Sequence, residues 1–504
     1  MMKKLLGYTV LILLFTSSLS FAGNPLYVNG DPLVWDTSQT IKYKIDLEGL
    51  GELSLEQTYA LIEEATKIWE DVSGTGIEFE FVGTLDEKIT LDNWEDTLGN
   101  HIYAEGYGNM TSTQAQSDHL LVFAFDNTGE ILEAKNSAGA SGVQSHTGVL
   151  GTYEDPQYII SGNIVLNGLY INDNESDTKD LSSIDMLAII VHEIGHALGL
   201  DHSSSHYQMY RDIVSGKIST DYARYLPTMF PRFIKNSGNH LVSLHPDDIS
   251  TLKWMYGAGN YITVSGEILD ADDNPQISAL VSVRNTDSSL CQTYSQVTGV
   301  LCSDLNTKSN GKGDDYFTGK YCMDNDEKGF YEIPVLDEQG TYTVDVQELN
   351  EGLKTAITKI TSSYQSLPGD AEFFNDDDDN NEDPDDLNVL IIDDDDISHI
   401  DIVLSDTQAS TGDDDELTYD YFIEDDFFST LEDPQCPSNP DFDIDAVFAN
   451  ASEISNDTSS GSTSVSCALN TADTTKPNIN LILLGLFLIT LTSIRQLCNK
   501  RSMN

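Results

Sequence analysis

The chain has 504 residues and a formal net charge of −59, with an isoelectric point near 4.1. This length is enough for two or three domains with buried cores, and nucleic acid is not expected as a partner because phosphate binding needs a basic surface. Strong acidity suits a secreted protein that must stay soluble, and it is compatible with divalent cations.

Residues 1–22 have the features of a secretory signal peptide. Two lysines supply a basic start, residues 5–15 supply a short apolar core, and Ser20 and Ala22 offer small residues for cleavage. An uncleaved membrane anchor is the alternative, but the apolar run is too short to favour it. The mature protein is therefore expected to begin near Gly23, outside the cytosol.

The following segments predict strands and one amphipathic helix before residue 170. Alternating or helical spacing of apolar residues predicts a strand at Trp35 to Leu47, a helix at Ser54 to Trp69, and strands at Ile77 to Phe81, Leu120 to Phe125 and Asn163 to Leu166. A strand, a helix and further strands thus precede the segment that carries the clearest chemical motif.

Two polar turns in this region carry oxygen donors. Asp126 and Glu130 lie in one turn, directly after the strand that ends at Phe125, and Asp173 lies in the other. Structural calcium is one interpretation, because hard cations prefer clustered oxygens. Ordinary turns rich in Asp and Asn are the other, and the sequence leaves both open.

Residues 192–202 read H-E-x-x-H-x-x-G-x-x-H, the pattern of a metal site. His192 and His196 are four residues apart, so on a helix they project from one face and can bind one ion. Gly199 is expected to end the helix, because glycine adopts the left-handed conformation at low cost, and His202 then returns as a third ligand. Three neutral imidazoles with an open fourth position are typical of a catalytic zinc. Glu193 can act on a water without being a ligand.

The context of this motif matters, because a bare H-E-x-x-H often occurs by chance. Ser182 to Asp185 form a helix-capping signal upstream of it. The apolar residues that follow have helical spacing: Ile184, Leu187, Ile190, Val191 and Ile194. This context favours a zinc site over a helix that merely contains histidines.

The motif resembles that of the metzincin metallopeptidases, and Ser203 after the third histidine resembles the matrixin branch. Residues 226–231 are similar to the matrixin Met-turn, whose methionine, here Met229, lies under the zinc site. Pro231 stands where other branches carry a tyrosine, and residues 245–257 resemble the last helix of a matrixin catalytic domain. The resemblance covers about residues 30 to 257. It implies an α+β fold: a zincin domain over residues 23–258, with a twisted mixed sheet and a zinc-binding helix. The order of strand, helix and further strands before the motif is the one expected of its upper part.

The same resemblance implies a zinc metalloendopeptidase that acts on protein or peptide substrates. Its one catalytic zinc would be held by the three histidines, with Glu193 as general base. An edge strand over the zinc would bind the substrate by strand addition, and this edge is assigned to Ser141, Gly142 and Val143. Matrixins also hold a second, structural zinc, but no spacing for it is recognisable, and His101, His119 and His146 are interpreted as isolated histidines.

After Gly257, short strands separated by turn residues predict a β-sandwich over residues 260–405, with its last strand at Ser398 to Leu404. The region resembles the carboxypeptidase-regulatory-like domains of bacterial surface proteins. It departs from them by insertions at residues 287–325 and 369–396. A disulfide is expected outside the cytosol, with its pairing open, among Cys291, Cys302 and Cys322.

The remaining segments are acidic or apolar. Residues 406–476 predict a disordered stalk, and the Asp runs at 376–379 and 393–396 indicate a solvated loop rather than weak calcium sites. Residues 477–504 contain a short apolar run followed by basic residues, which predicts either a membrane anchor or a bacterial sorting signal. The protein is thus expected to be a monomer that is secreted or held at the surface or envelope of a bacterium.

Two other functions compete with peptide hydrolysis. One is a non-catalytic adhesin that carries a relic protease domain, and the β-sandwich and stalk would suit it. The other is a zinc hydrolase that acts on a non-peptide amide. The relic is disfavoured because every chemical position of the zinc motif is intact.

Overall fold

The computed structural model describes thirteen segments of the chain and shows the expected α+β fold, with a zinc-helix domain followed by a β-rich region. The described residues are 12–13, 25–28, 31–94, 119–135, 145–151, 158–171, 180–298, 329–336, 340–348, 372–374, 389–392, 396–404 and 442–449. Within these segments, no helix has the length and apolar character needed to cross a bilayer. The predicted apolar run near the C-terminus lies outside them.

The first domain is built on a seven-stranded mixed sheet. Its strands are β1 (Ile12–Leu13), β4 (Val34–Trp35), β5 (Ile41–Ile45), β6 (Phe79–Thr84), β7 (Leu120–Asp126), β8 (Ser145–Gly151) and β9 (Tyr158–Asn167). The order is β1-β8-β9-β7-β5-β6, and β4 also pairs with β9. β8 is antiparallel to its two neighbours, whereas the other pairs are parallel. Two further strands, β2 (Tyr27–Val28) and β3 (Asp31–Pro32), pair with each other and form a separate ribbon.

Helices pack against this sheet; most share one buried core with it, and the helix at Glu130–Lys135 belongs to a second, smaller cluster. They are α1 (Leu55–Glu70), α2 (Glu130–Lys135), α3 (Ser183–Ala197), α4 (Tyr207–Ser215), α5 (Gly238–Leu241) and α6 (Pro246–Met255), with 3₁₀ turns at Gly168–Tyr170 and Thr220–Tyr225. α1 begins at Ser54, whose hydroxyl accepts a hydrogen bond from the backbone of Gln57. Its apolar face, including Leu61 and Trp69, packs into the same buried cluster as the apolar face of α3.

Two predicted strands differ from the structure. The strand predicted at Trp35 to Leu47 is interrupted, because the Asp36 carboxylate accepts the backbone N–H of Ser38 and so forms a local turn. The strand predicted at Ser398 to Leu404 is only two residues long, Ile402–Val403. His399 has a φ of 63°, which breaks extended pairing before it.

The β-rich region consists of two facing sheets. Its strands are β10 (Tyr261–Leu269), β11 (Ala279–Asn285), β12 (Thr293–Val297), β13 (Phe330–Leu336), β14 (Gly340–Glu348), β15 (Glu372–Phe373), β16 (Leu390–Ile392) and β17 (Ile402–Val403). One sheet has the order β13-β10-β17; the other has the order β12-β11-β14-β15, with β16 also on β14. Val264, Val281, Tyr331 and Val344 belong to the core between them. Cys291 is disulfide-bonded, and every other cysteine lies outside the described residues.

The prediction of a disordered stalk over residues 406–476 is wrong for residues 442–449. Residues 444–449 are helical, and Phe442, Ile444 and Phe448 are half-buried against the core of the first domain. The physical reason is the apolar spacing within an acidic segment, which lets a short helix and the residue before it pack three large side chains against the first domain.

Candidate metal centre

The helix that carries the motif, α3, is fixed at its start by a buried carboxylate. Ser182 and Asp185 form a reciprocal capping box, which satisfies amides that a helix start leaves unpaired. Asp185 also accepts the backbone N–H groups of Asn236 (3.3 Å) and Gly238 (3.0 Å). The start of α3 is thereby joined to the segment that leads into α5.

Three aromatic side chains donate hydrogen bonds to the carbonyl groups of α3 and of the turn after it. Trp69 Nε1 donates to Val191 O and Trp35 Nε1 donates to Ala197 O, both at 2.8 Å. The Tyr256 hydroxyl donates to Leu198 O at 2.8 Å. Carbonyls at a helix end have no partner within the helix, so the Trp35 and Tyr256 donors stabilise the end that carries the motif. Val191 O lies inside the helix, so Trp69 instead joins α1 to the middle of α3. Nothing in the local sequence indicates these donors, since they come from distant parts of the chain.

Glycine is required at two positions of this helix. A Cβ at Gly195 would overlap Met229 Sδ and lie 2.8 Å from a ring carbon of Trp69, so the Met229 side chain packs on the helix between two of the histidines. Gly199 has a φ of 95°, and a Cβ there would overlap the backbone oxygen of Leu33. The helix ends at Ala197, and Gly199 follows it in the left-handed conformation, as expected, so the chain turns back towards the last turn of the helix.

The structure brings the three predicted ligands together. One nitrogen from each of His192, His196 and His202 lies within 4.8 Å of the others, and among the described residues this is the group of His, Cys, Asp and Glu side chains with metal-binding geometry. The Nε2 atoms of His192 and His202 are 3.1 Å apart. Two nitrogens bound tetrahedrally to one zinc, at about 2.0–2.1 Å each, would be about 3.4 Å apart. The three side chains therefore fit a zinc ion.

Backbone carbonyls orient two of these rings. Thr228 O lies 2.7 Å from His192 Nδ1, and Leu200 O lies 2.9 Å from His196 Nδ1. A carbonyl can only accept, so Nδ1 of each ring carries the proton and Nε2 presents a lone pair. Such outer partners fix the tautomer and the ring orientation that a metal ligand needs.

The predicted Met-turn lies directly under the site. Met229 is buried, its carbonyl accepts the N–H of Ser203 at 2.8 Å, and its own N–H donates to Asp248 at 3.0 Å. Thr228 N also donates to Asp248, at 2.9 Å. One carboxylate at the start of α6 thus holds the turn that contacts both the zinc helix and the loop carrying His202.

Glu193 is buried beside the triad, and both oxygens of its carboxylate accept hydrogen bonds from β8. The Ser145 hydroxyl donates to Oε1 and the Thr147 hydroxyl donates to Oε2. We call Ser145 and Thr147 the hydroxyl pair. A carboxylate offers about four acceptor sites, so each oxygen keeps a position for a further donor such as water. The sequence prediction missed this pair, because nothing near residue 193 indicates which strand lies above the helix.

The predicted substrate edge and the predicted calcium ligands lie as follows. Ser141, Gly142, Val143 and Asp173 are outside the described residues, whereas the described strand over Glu193 begins at Ser145. Asp126 is buried and accepts from Leu132 N (2.9 Å) and the Thr128 hydroxyl (3.3 Å), and the Glu130 carboxylate also accepts from Thr128. These contacts account for Asp126 as a turn-capping residue, and calcium at this turn stays an untested prediction.

Two buried ionisable side chains near the zinc loop are strongly perturbed. Burial and the neighbouring Asp248 raise the pKa of Asp247 to about 7, and the hydrogen bonds from Ser203 and Ser295 limit this rise. Burial lowers the pKa of His206 to about 3, so this ring is neutral in the folded protein. Both lie at the boundary between the first domain and the β-rich region.

This combination of a mixed sheet, an H-E-x-x-H helix, a third histidine after a glycine turn and a methionine turn beneath it defines a metzincin-type zinc site. Residues 34–223 match the family model described as Matrixin. The chain is 25% identical over 197 residues to stromelysin-1 from Equus caballus, a match that covers 39% of this chain and 28% of that protein. The first domain is therefore a matrixin-like metzincin domain, and the chain matches only about a quarter of the length of this relative.

Proposed function

We propose that this protein is a zinc-dependent endopeptidase that hydrolyses peptide bonds in extended segments of protein substrates. The observation that carries the proposal is the convergence of His192, His196 and His202 beside a carboxylate, Glu193, that is buried and held by two hydroxyl groups. Matrixins are zinc metallopeptidases, which supports the same class of reaction.

The residues of the site have separate roles in this reaction. The Nε2 atoms of the three histidines would hold the zinc, which supplies polarisation of the scissile carbonyl and lowers the pKa of a bound water towards about 7. Glu193 removes a proton from the attacking water and delivers it to the leaving nitrogen. The hydroxyl pair keeps the Glu193 carboxylate in one orientation during both proton transfers. The burial of Glu193 excludes competing bulk water from the carboxylate.

Strand β8 is the proposed site of substrate binding. Its inner edge pairs with β9, and its outer edge pairs antiparallel with residues 12–13, with Leu13 opposite Leu150. Those two residues belong to the predicted signal peptide, so its removal would expose an edge that accepts an extended backbone. A peptide bound there would run directly above Glu193, because Ser145 and Thr147 belong to the same strand.

The test is digestion of casein by the purified full chain and by Glu193→Gln. We expect the wild-type protein to cleave casein, a chelator to abolish cleavage and added zinc to restore it. Glu193→Gln should bind zinc normally and lose nearly all turnover, because an amide cannot act as the base. Glu64→Gln, a substitution of the same kind on α1, serves as the control and should cleave like the wild type.

Each of the other outcomes would support a different function. A wild-type protein that binds zinc but cleaves no protein or peptide would support the relic adhesin. Cleavage of small amides without cleavage of peptides would support the non-peptide hydrolase. If Glu193→Gln retained wild-type turnover, the assignment of the base would be wrong. We further propose that the protein is a secreted monomer held at the cell surface through residues 477–504, because its sequence begins with the features of a signal peptide and ends with a short apolar run followed by basic residues.

A further inference from the structure

Two neighbouring carboxylates at the start of α6 bind different parts of the protein. Asp248 holds the Met-turn, whereas Asp247 accepts from the Ser203 hydroxyl at 2.6 Å and from the backbone N–H of Ser295 at 3.1 Å. Ser203 directly follows His202, and Ser295 lies in β12 of the β-rich region. Asp247 is 2% exposed. This one buried carboxylate therefore joins the loop of the third histidine to the second domain.

The geometry of β12 explains why the Ser295 amide is available. β12 is the terminal strand of its sheet and pairs on one side with β11. Asn285 N donates to Gln292 O and Thr298 N donates to Ala279 O, so even-numbered residues exchange hydrogen bonds with β11. The odd-numbered amide of Ser295 points away from β11. The Asp247 carboxylate thus accepts a hydrogen bond from an amide on the free edge of β12, which no described strand of that sheet pairs with.

The same loop meets the β-rich region at a second point. His206, three residues after Ser203, has a φ of 63° and is hydrogen-bonded to the backbone of Leu290. Leu290 and Cys291 pack with the buried cluster of the first domain. The loop that follows the third histidine is therefore held between its own domain and the second one.

We propose that the β-rich region supports the zinc site: the Ser295 amide orients Asp247, and Asp247 holds the His202 loop through the Ser203 hydroxyl. Asp247 and Ser295 are positioning residues in this arrangement, because they act through Ser203 and His202. The inference deepens the proposed zinc peptidase function and rests on it. It makes the second domain a part of the active-site scaffold, whereas a separate adhesive module would have no effect on the metal.

The experiment uses the full chain and Ser295→Pro, which deletes the donor to Asp247. Proline is tolerated on an edge strand where its missing N–H does not belong to the ladder. Zinc affinity is measured by competition with a chromophoric chelator, and the site geometry is followed by the visible absorption of the cobalt-substituted protein. Loss of an outer partner of a metal ligand costs about 10- to 100-fold in affinity. We expect a loss of at least about tenfold and an altered cobalt spectrum.

Two controls separate this effect from general destabilisation. Ser295→Ala removes the side-chain hydroxyl but keeps the amide, so its zinc affinity should match the wild type. Trp254→Phe removes another bond between the domains, from Trp254 Nε1 to Glu332 at 3.2 Å, without contacting Asp247. It should lower the unfolding temperature but leave zinc affinity and the cobalt spectrum unchanged.

Ser203→Ala breaks the same connection from the other side, and it decides the question if Ser295→Pro does not fold. It should weaken zinc binding to a similar extent, and the double variant should be no worse than either single one, because both remove one connection. A folded Ser295→Pro or Ser203→Ala with wild-type zinc affinity and cobalt spectrum overturns the inference while leaving the proposed function intact. A wild-type protein that binds no zinc instead overturns the proposed function.

Discussion

Replacing Thr147 with valine tests whether the hydroxyl pair holds the proposed general base. Valine has nearly the same shape, so the change removes the hydroxyl donor to Glu193 Oε2 without leaving a cavity. Thr147 is 7% exposed, so water has little access to replace the lost donor. The Glu193 carboxylate then keeps only the Ser145 hydroxyl and can rotate away from the position that proton transfer requires.

The size of the effect follows from the charge on the acceptor. A hydrogen bond to a charged group contributes about 1.5–3 kcal/mol, and about 1.4 kcal/mol corresponds to a tenfold change in rate. We therefore expect kcat/KM for a fluorogenic peptide to fall about 10- to 100-fold at saturating zinc. The fall should lie in kcat rather than in KM, since Thr147 would contact the base and not the peptide. Ser145→Ala should behave in the same direction.

The matched control is Thr66→Val in α1. Thr66 is also buried, but its hydroxyl donates to the neutral carbonyl of Glu63 at 2.8 Å, away from the site. It should lose about 1 kcal/mol of stability and retain full activity. A folded Thr147→Val with wild-type kcat/KM would show that the hydroxyl pair has no part in orienting Glu193.

Two further predictions concern stability. Gly199→Ala should lower the free energy of unfolding in urea by about 3 kcal/mol or more, because the new Cβ overlaps Leu33 O and the backbone has a positive φ. The control is Gly216→Ala, where φ is 75° and the space around the Cβ is open, so the loss should be only about 1 kcal/mol. Equal losses in the two variants would contradict the close approach at Leu33. The second prediction concerns His206, whose pKa is near 3 in the folded chain and near 6.5 in the unfolded chain. As the pH falls through 6.5, the unfolded chain therefore takes up a proton that the folded chain does not. The free energy of unfolding should fall by about 1.4 kcal/mol per pH unit between pH 6.5 and 3. Metal-free His206→Asn should not show this loss of unfolding free energy at acid pH, whereas metal-free wild type should. Parallel curves of unfolding free energy against pH for the two proteins would show that His206 is not buried as a neutral ring.

The sequence predicted the parts of the site that are local in the chain. The positions of His192 and His196 follow from one turn of helix, and the return of His202 follows from the conformational freedom of Gly199. The fold class was confirmed; it rested on the resemblance of residues 192–203 and 226–231 to metzincin motifs, together with periodic apolar segments in the expected order. The ligand positions needed only spacing and the properties of single residue types.

Contacts between distant segments could not be predicted in this way. The Thr147 hydroxyl and Glu193 are 46 residues apart, and Asp247 and Ser295 are 48 residues apart. Threonine on a strand or aspartate at a helix start has an ordinary local role, so neither residue indicates a partner across the fold. The helix at residues 444–449 was missed for a related reason. The three apolar side chains at and just before it are a weak signal within a strongly acidic segment, and the helix is stable only because they pack against the first domain.

Metal analysis of the purified protein measures whether three imidazoles of this chain bind one zinc ion. The full chain is incubated with excess zinc, freed of unbound metal and measured by atomic emission beside His196→Ala. We expect one zinc per wild-type chain and a large loss of bound zinc in the variant. A wild-type chain without bound zinc, or a variant that retains it fully, would show that these histidines do not form the metal site.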